Sequence, residues 1–503
     1  MSPQKHTMTV LAQITSWIPD RIVENLAKKH KIAARSFSAD SHVVTLVYAH
    51  LAHSLSLNDI CDSLSNHAGS LSQIRNCTPP SRNGLAHANR TRPAAMAEEL
   101  FWKTHETLAR NYPEFMNSSR SYPGLPHRFR NRTIKAVDST TIQLTADCIG
   151  WARHRAQKAA AKMHTVLDMR SFMPSVAIVK SARDSDPKTA WELCAGLRAG
   201  EVVVFDRAYV DFRHLHALSG RGVVWVTRLK ENILFESAGR QPAGGKAAGD
   251  AGQQPAGGKG AADGAAGPTG PAAQAGKAAG DVGQQPAGGK GAAAQAGKAA
   301  GDAGQQPAGG KGAAAAQAGK AAGDVGQQPA GKRKYTRKDC TVLSDERIRL
   351  TGKGTSELYP EEIRLVRAKI DVRGNETEMA FITNSLDWAP YTVCQLYRSR
   401  WSVEMFFKEI KQTLQLADFL GYSENAVRWQ VWTALLTYLL LRFVAWHHKW
   451  RHAFSRLFTL LRAVLWNYFR MDSIIEGCDK AREMKKNTIR GSPENAYQLT
   501  LDL

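Results

Sequence analysis

The chain has 503 residues, more than one ordinary core accommodates, so two or three folded units are expected. Its 67 Lys and Arg stand against 45 Asp and Glu, a net charge of +22, which points to a polyanionic partner. Three classes are disfavoured. The longest apolar run, Val431–Leu441, is about half of what a membrane span needs. The N-terminus carries no apolar signal core, and the seven scattered cysteines form no CxxC pair. A reducing cytoplasm is therefore the expected compartment.

Residues 1–115 read as helical. His42–Leu55 and Ala94–Arg110 carry apolar residues at helical spacing, and Thr78-Pro79-Pro80 separates such stretches. Ser56–Arg75 has the form of a helix-turn-helix, a weak signal in any bundle. Residues 128–235 switch to strands. Thr133–Val137 leads into Asp138, His164–Leu167 and Ser175–Val179 follow, and a helix fits Pro187–Ala199. Val202–Phe205 then leads into Asp206, and after a further helix comes Val223–Thr227. This is an α/β pattern with a mixed sheet.

Residues 237–333 differ in kind. A unit near QAGKAAGDVGQQPAGGKGAAA starts at Gln274, Gln295 and Gln317, without large apolar side chains. Such a segment cannot bury enough surface to offset its ordering entropy, so a disordered insert at a loop tip is expected. Residues 340–389 return to strands, residues 390–470 are strongly helical, and 471–503 read as a peripheral tail.

Asp138 and Asp206 each end an apolar strand, where a carboxylate is held rigidly yet reaches the sheet edge. Hard divalent cations take such oxygen ligands, although Asp after a strand is more often a turn or helix cap. Tyr397–Lys411 reads as one helix. At about 100° per residue, Tyr397, Arg400, Glu404 and Lys411 share one stripe. A carboxylate flanked by cations suits a metal beside a phosphate chain. A solvated face with an Arg400–Glu404 pair is an equal alternative.

The spacing Y-x2-R-x3-E-x6-K, as Tyr397, Arg400, Glu404 and Lys411, resembles the YREK signature of the insertion-sequence-4 family of DDE transposases. Ala136–Thr140 is similar to the family's first-aspartate strand, and Phe205-Asp206-Arg207-Ala208-Tyr209 to its second. Phe419–Gly421 and Ser423–Val427 resemble the stretch after the signature helix. The resemblance implies a ribonuclease-H-like core with a largely β insertion, preceded by a helical DNA-binding domain. It implies two Mg²⁺ ions, replaceable by Mn²⁺, held by Asp138, Asp206 and Glu404 and supporting in-line displacement. Tyr397, Arg400, Lys411, Arg207 and Tyr209 are the expected DNA contacts. The implied partners are double-stranded DNA, as transposon ends and target, and a second copy of the chain in the assembled complex. The implied place is a bacterial cytoplasm, at the nucleoid when bound. The alternative is a catalytically inactive, transposase-derived DNA-binding protein. A related metal nuclease is a third reading.

Overall fold

The computed structural model describes residues 4–34, 36–117, 129, 132–144, 148, 152–155, 158–181, 186–240, 336–337, 340–372, 375–414 and 420–478. Its centre is a mixed sheet of β1 (Ile134–Leu144), β2 (Arg153–Arg155), β3 (Lys158–Asp168), β4 (Met173–Ser181), β5 (Val202–Phe205) and β6 (Val224–Arg228). The same sheet continues through β7 (Phe235–Arg240), β8 (Thr336–Arg337), β9 (Cys340–Leu350), β10 (Ile363–Val372) and β11 (Asn375–Thr383). β1 pairs antiparallel with β3, and β3 with β4. β1 runs parallel to β5, and β5 to β6. This matches the expected α/β pattern.

Alternation along the strands explains why both faces are covered. Ile134, Ala136, Val202, Val204 and Val226 join one apolar core, whereas Val137, Val203, Phe205 and Trp225 join the other. Successive side chains point to opposite faces, so strands buried on both sides read as unbroken apolar runs. Helices Asp186–Leu193 and Phe212–Gly220 cover the second face.

The β insertion is not a separate body. β11 pairs antiparallel with β6, Ile382 opposite Thr227, so the insertion extends the central sheet. Its anchor is Arg364, 2% exposed, whose guanidinium forms two bonds of 2.7 Å to Asp345. The same group donates to the carbonyls of Leu386 and Trp388, just before helix Pro390–Ser399. Removing one partner of a buried pair strands the other charge. Asp345→Ala is therefore expected to cost about 3 kcal/mol in urea unfolding; a change within about 0.5 kcal/mol would show the pair to be dispensable.

The N-terminal helices do not form a unit of their own. Residues Met1–Gly245 and Arg333–Leu503 make one compact body. Helices Ala39–Ala52 and Ala95–Asn111 pack on the 24-residue helix Glu424–His447. His50 reaches the Gln430 and Leu414 carbonyls, each at 3.1 Å, and Phe101 stacks obliquely on Trp432. Asn425 accepts from the Ala94 amide and donates to the Asn89 and Arg92 carbonyls, while the Trp429 indole donates to Arg92. Each large side chain buried here contributes about 1.5–3 kcal/mol, so neither partner is complete alone. Glu424–His447 contains the Val431–Leu441 run as core, and no helix among the described residues is long and apolar enough to cross a membrane.

Two expectations need correction at their edges. Residues 237–240 belong to β7 and not to the repeat insert. Gly239, at φ 136°, absorbs a register shift in the β7–β9 ladder. Arg240 pairs with Glu346, so β7, which precedes the repeat, stands beside β9, which comes after it. The remainder of the insert and residues 479–503 of the tail lie outside the described residues, as does Phe419. The helix-turn-helix is also reduced. Leu57–Asn66 carries a Ser56/Asp59 capping box, but the following helix, Ala68–Ser72, has five residues, too few to lie along a groove.

Candidate active site

Asp138 does not end its strand; β1 runs on to Leu144 against β3. What ends there is the parallel ladder, whose last pair is Val137 with Phe205. Asp138 and Asp206 are the residues that follow this pair, the first within β1 and the second just past the end of β5. The expected rigidity holds, with the antiparallel partner β3 and not a turn supplying it for Asp138. Asp206 caps the short 3-10 helix Arg207–Tyr209, accepting from the Ala208 amide at 3.3 Å.

Glu404 comes from helix Trp401–Lys408. The expected single helix from Tyr397 to Lys411 is interrupted. Pro390–Ser399 closes at Arg400, whose amide bonds to the Tyr397 carbonyl at 3.0 Å, three residues back. The Ser399 and Ser402 hydroxyls donate to the Leu396 and Ser399 carbonyls at 2.6 and 2.7 Å. Such back-bonding competes with the helix ladder and tightens it. A second irregularity, the π-helical turn Glu409–Thr413, follows.

Arg400 sits at the tightened turn and joins the site. Its Nη1 donates to Asp138 Oδ2 at 2.6 Å and its Nη2 to Glu404 Oε1 at 2.9 Å. The Tyr397 hydroxyl donates to Asp206 Oδ1 at 3.4 Å, and the Arg400 guanidinium lies 5.6 Å from the Tyr397 ring centre. The five residues thus form one connected constellation.

Burial pushes the Asp138 carboxyl up to about 6, against the pull of Arg400 and the Ser139 amide and with the push of Asp206 and Glu404. This folded value lies above the ordinary 3.8. Below about pH 4 both folded and unfolded chains hold the proton, and Asp138 costs nothing. Between about pH 4 and 6 the native site keeps a proton that the unfolded chain has released, so stability falls as pH rises, by about 2–3 kcal/mol in total. Urea unfolding from pH 4 to 7 in chelator should show this slope in the parent and lose it in Asp138→Asn; equal slopes would dismiss the assignment.

The Transposase DDE domain family matches residues 130–440, more than half of the chain. The chain belongs to the DDE transposase family. A domain of unknown function, DUF4372, matches residues 6–74. A protein named as a transposase, y4zB of Sinorhizobium fredii, is 23% identical over 366 residues, 73% of this chain and 72% of its own length. A Geobacillus stearothermophilus protein named as the transposase of insertion sequence element IS5377 is 36% identical over 70 residues, 14% of this chain and 19% of its own. Among solved structures, a piggyBac transposase synaptic complex with hairpin DNA aligns at 10% identity and a TM-score of 0.38, covering 99% of this chain and 89% of that one. At that level the alignment bears on neither fold nor function.

Within this DDE transposase chain the remaining sequence-derived site residues separate. Arg207 is exposed, 3.9 Å from Glu231. Tyr209 is 1% exposed, so it has no face for DNA. Its hydroxyl lies 3.0 Å from His164 Nδ1, in a network that includes Ser139 and, through His164, Asp186 and Lys162. Tyr397 is likewise buried at 7%, its ring on Phe381. It supports Asp206 from the core side, where a phosphate or base contact was expected. Lys411, in the π-helical turn, makes no hydrogen bond or ion pair among the described residues, and burial lowers its ammonium pKa. Asp168 accepts from the Arg170 and Ser171 amides and closes the β3–β4 turn. Sequence reading missed Asp186 and Lys162; Asp186-Pro187 shows there only as a helix start.

Proposed function

We propose that this chain is a DNA transposase of the insertion-sequence-4 type, cutting the ends of its element and joining them to target DNA. Asp138, Asp206 and Glu404 are its catalytic carboxylates. The observation that carries this reading is their juxtaposition. Two aspartates lie just past the last pair of adjacent parallel strands, and a glutamate from a distant helix is joined to the first through Arg400. The order β4-β3-β1-β5-β6 with its mixture of directions supports a ribonuclease-H-like core. The YREK spacing supports the subfamily.

Three carboxylates are a hard donor set suited to Mg²⁺ or Mn²⁺. As placed, no three His, Cys, Asp or Glu side chains among the described residues are grouped to hold an ion, and the guanidinium of Arg400 bonds to both Asp138 and Glu404. With Arg400 released, Asp138, Asp206 and Glu404 would be the residues to hold the cation. When bound, two such ions supply the Lewis acidity for in-line phosphodiester displacement. The protein contributes the rest. Asp138 and Asp206 are fixed by the sheet, and Tyr397 orients Asp206. Arg400, once released from Asp138, is placed to grip a phosphate beside the scissile bond. Arg207 offers an exposed cation and Lys411 a half-buried one along the same DNA path. Joining two element ends calls for two copies of the chain in the DNA complex.

The test is incubation with linear DNA carrying the sequences that flank this gene. Specific nicks at the element ends that need Mg²⁺ or Mn²⁺ and vanish on chelation are expected. Specific binding with no nick under any divalent cation would replace this reading with the inactive DNA-binding derivative.

A further inference from the structure

We infer that helix Arg82–Thr91 is the element-reading helix of this protein, entering the major groove of duplex DNA with Arg82, Asn83, His87 and Arg90. This rests on the proposal that DNA is the partner, and adds the surface that recognises its sequence.

Among the described helices before residue 117, those carrying Lys or Arg are Ile22–Lys29, Arg82–Thr91 and Ala95–Asn111. In the first, Lys28 pairs with Glu24 and Lys29 with Glu99; in the third, Arg110 pairs with Glu106, and the exposed Lys103 shares its helix with Glu98, Glu99 and Glu106. Arg82–Thr91 contains no acid. The side chains of Arg82, Asn83, His87 and Arg90 are exposed and make no hydrogen bond or ion pair among the described residues. At about 100° per residue these four, with Ala86 between them, span an arc of about 140°. Leu85 and Ala88 on the other side, and Asn89 at the edge of the stripe, are buried.

The chemistry of that face matches base edges more than bare phosphate. Arg forms a bidentate pair with guanine O6 and N7, and Asn with adenine N6 and N7. Ala86, between Arg82 and Arg90 on the stripe, lets the backbone approach closely. Ten residues give about 15 Å of helix, enough to lie along a groove about 12 Å wide. A cleft of about 460 Å³ runs beside the helix, lined by Phe37, Gly84, His87 and Arg92 with exposed Lys31 among them. Lys31 is thus placed for the phosphate chain flanking the groove.

The helix is also held as a reader must be. Ser81 caps its start at the Gly84 amide. Asn89 lies 2.8 Å from His42, and the Asn89 and Arg92 carbonyls accept from Asn425. Arg92 packs over Phe37 and donates to the Ser38 carbonyl at 2.9 Å. Its base is therefore fixed to the helix that follows the Glu404 segment, which gives the reading face a set register relative to the carboxylates.

The experiment selects duplexes from a randomised pool with the full-length protein in chelator, then titrates the recovered duplex against a scrambled one. The parent should prefer the recovered duplex by about 10³-fold. Arg82→Ala, Asn83→Ala and Arg90→Ala should each reduce that preference about ten-fold with unchanged thermal melting, and Asn83→Ala should leave scrambled-duplex affinity as it was. Arg110→Ala, on the neighbouring helix, should change neither. Parental preference retained by all three variants would overturn the inference while the metal-dependent nicking assay still stands. A parent that recovers no preferred duplex overturns it as well, and if it also makes no nicks the proposed function falls with it. Binding of protein but not duplex by this face, seen as variants that alter self-association alone, would equally reject it.

Discussion

Glu404→Gln is expected to reduce Mg²⁺-dependent strand cleavage at least about 10³-fold while leaving duplex affinity within a few-fold of the parent. The change keeps shape and removes charge. Glu404 is partly exposed on a stable helix, its side chain 43% accessible, so the fold tolerates it. Arg400 keeps Asp138 as its closer partner, at 2.6 Å against 2.9 Å. What disappears is the third anionic donor, without which two oxygen-liganded cations are not held in register. Single-turnover cleavage of labelled end DNA, with binding measured in parallel, separates these effects. Cleavage at parental rate would remove Glu404 from the catalytic set.

Arg400→Ala should have two opposed effects. In chelator the variant loses the cation that offsets the mostly buried Asp138 carboxylate, and unfolding at neutral pH should cost about 2–4 kcal/mol less. Burial and the neighbouring carboxylates already hold Asp138 above its ordinary pKa, so part of the loss is relieved by proton uptake. Millimolar Mg²⁺ should then restore the melting temperature by more than it raises that of the parent, because the ion no longer competes with the guanidinium. Cleavage should still fall about 10²-fold, since the phosphate grip is gone. Equal Mg²⁺ stabilisation of parent and variant would show that Arg400 and the cation do not share a position.

Much of this was legible in the sequence, for local reasons. Val202–Phe205 is apolar at every position because both faces of its strand are covered, and such a run announces a central strand. Asp206 and Glu404 were legible from short-range spacing. What failed depends on distant chain. The strand length beyond Asp138 is set by its ladder with β3, which Ser139–Leu144 do not themselves declare. The interruption at Arg400 follows from two serine hydroxyls whose choice of carbonyl is a tertiary matter. The role of Asn425, tying three points near residues 89–94, has no signal beyond an amide in a first helical turn. A sequence split into an N-terminal domain and a core was natural, because the helix completing the first lies more than 300 residues downstream.

That separation governs when the protein can exist during its own synthesis. Helix Ala95–Asn111 leaves the ribosome long before Glu424–His447 is made. At about 5–20 residues per second the wait is roughly 15–70 s. Throughout it, Phe101 and Trp102 lack Trp432, the ring they pack against, and Asp138 lacks the guanidinium brought by Arg400. The proposed reading helix gains its tie to the core through Asn425, and Glu404 joins Asp138 through Arg400, so both links wait for the last quarter of the chain. On the proposed reading, a polypeptide terminated early would have neither a positioned reader nor a cutting site, and its uncovered apolar helices would hand it to chaperones and proteases instead of to DNA.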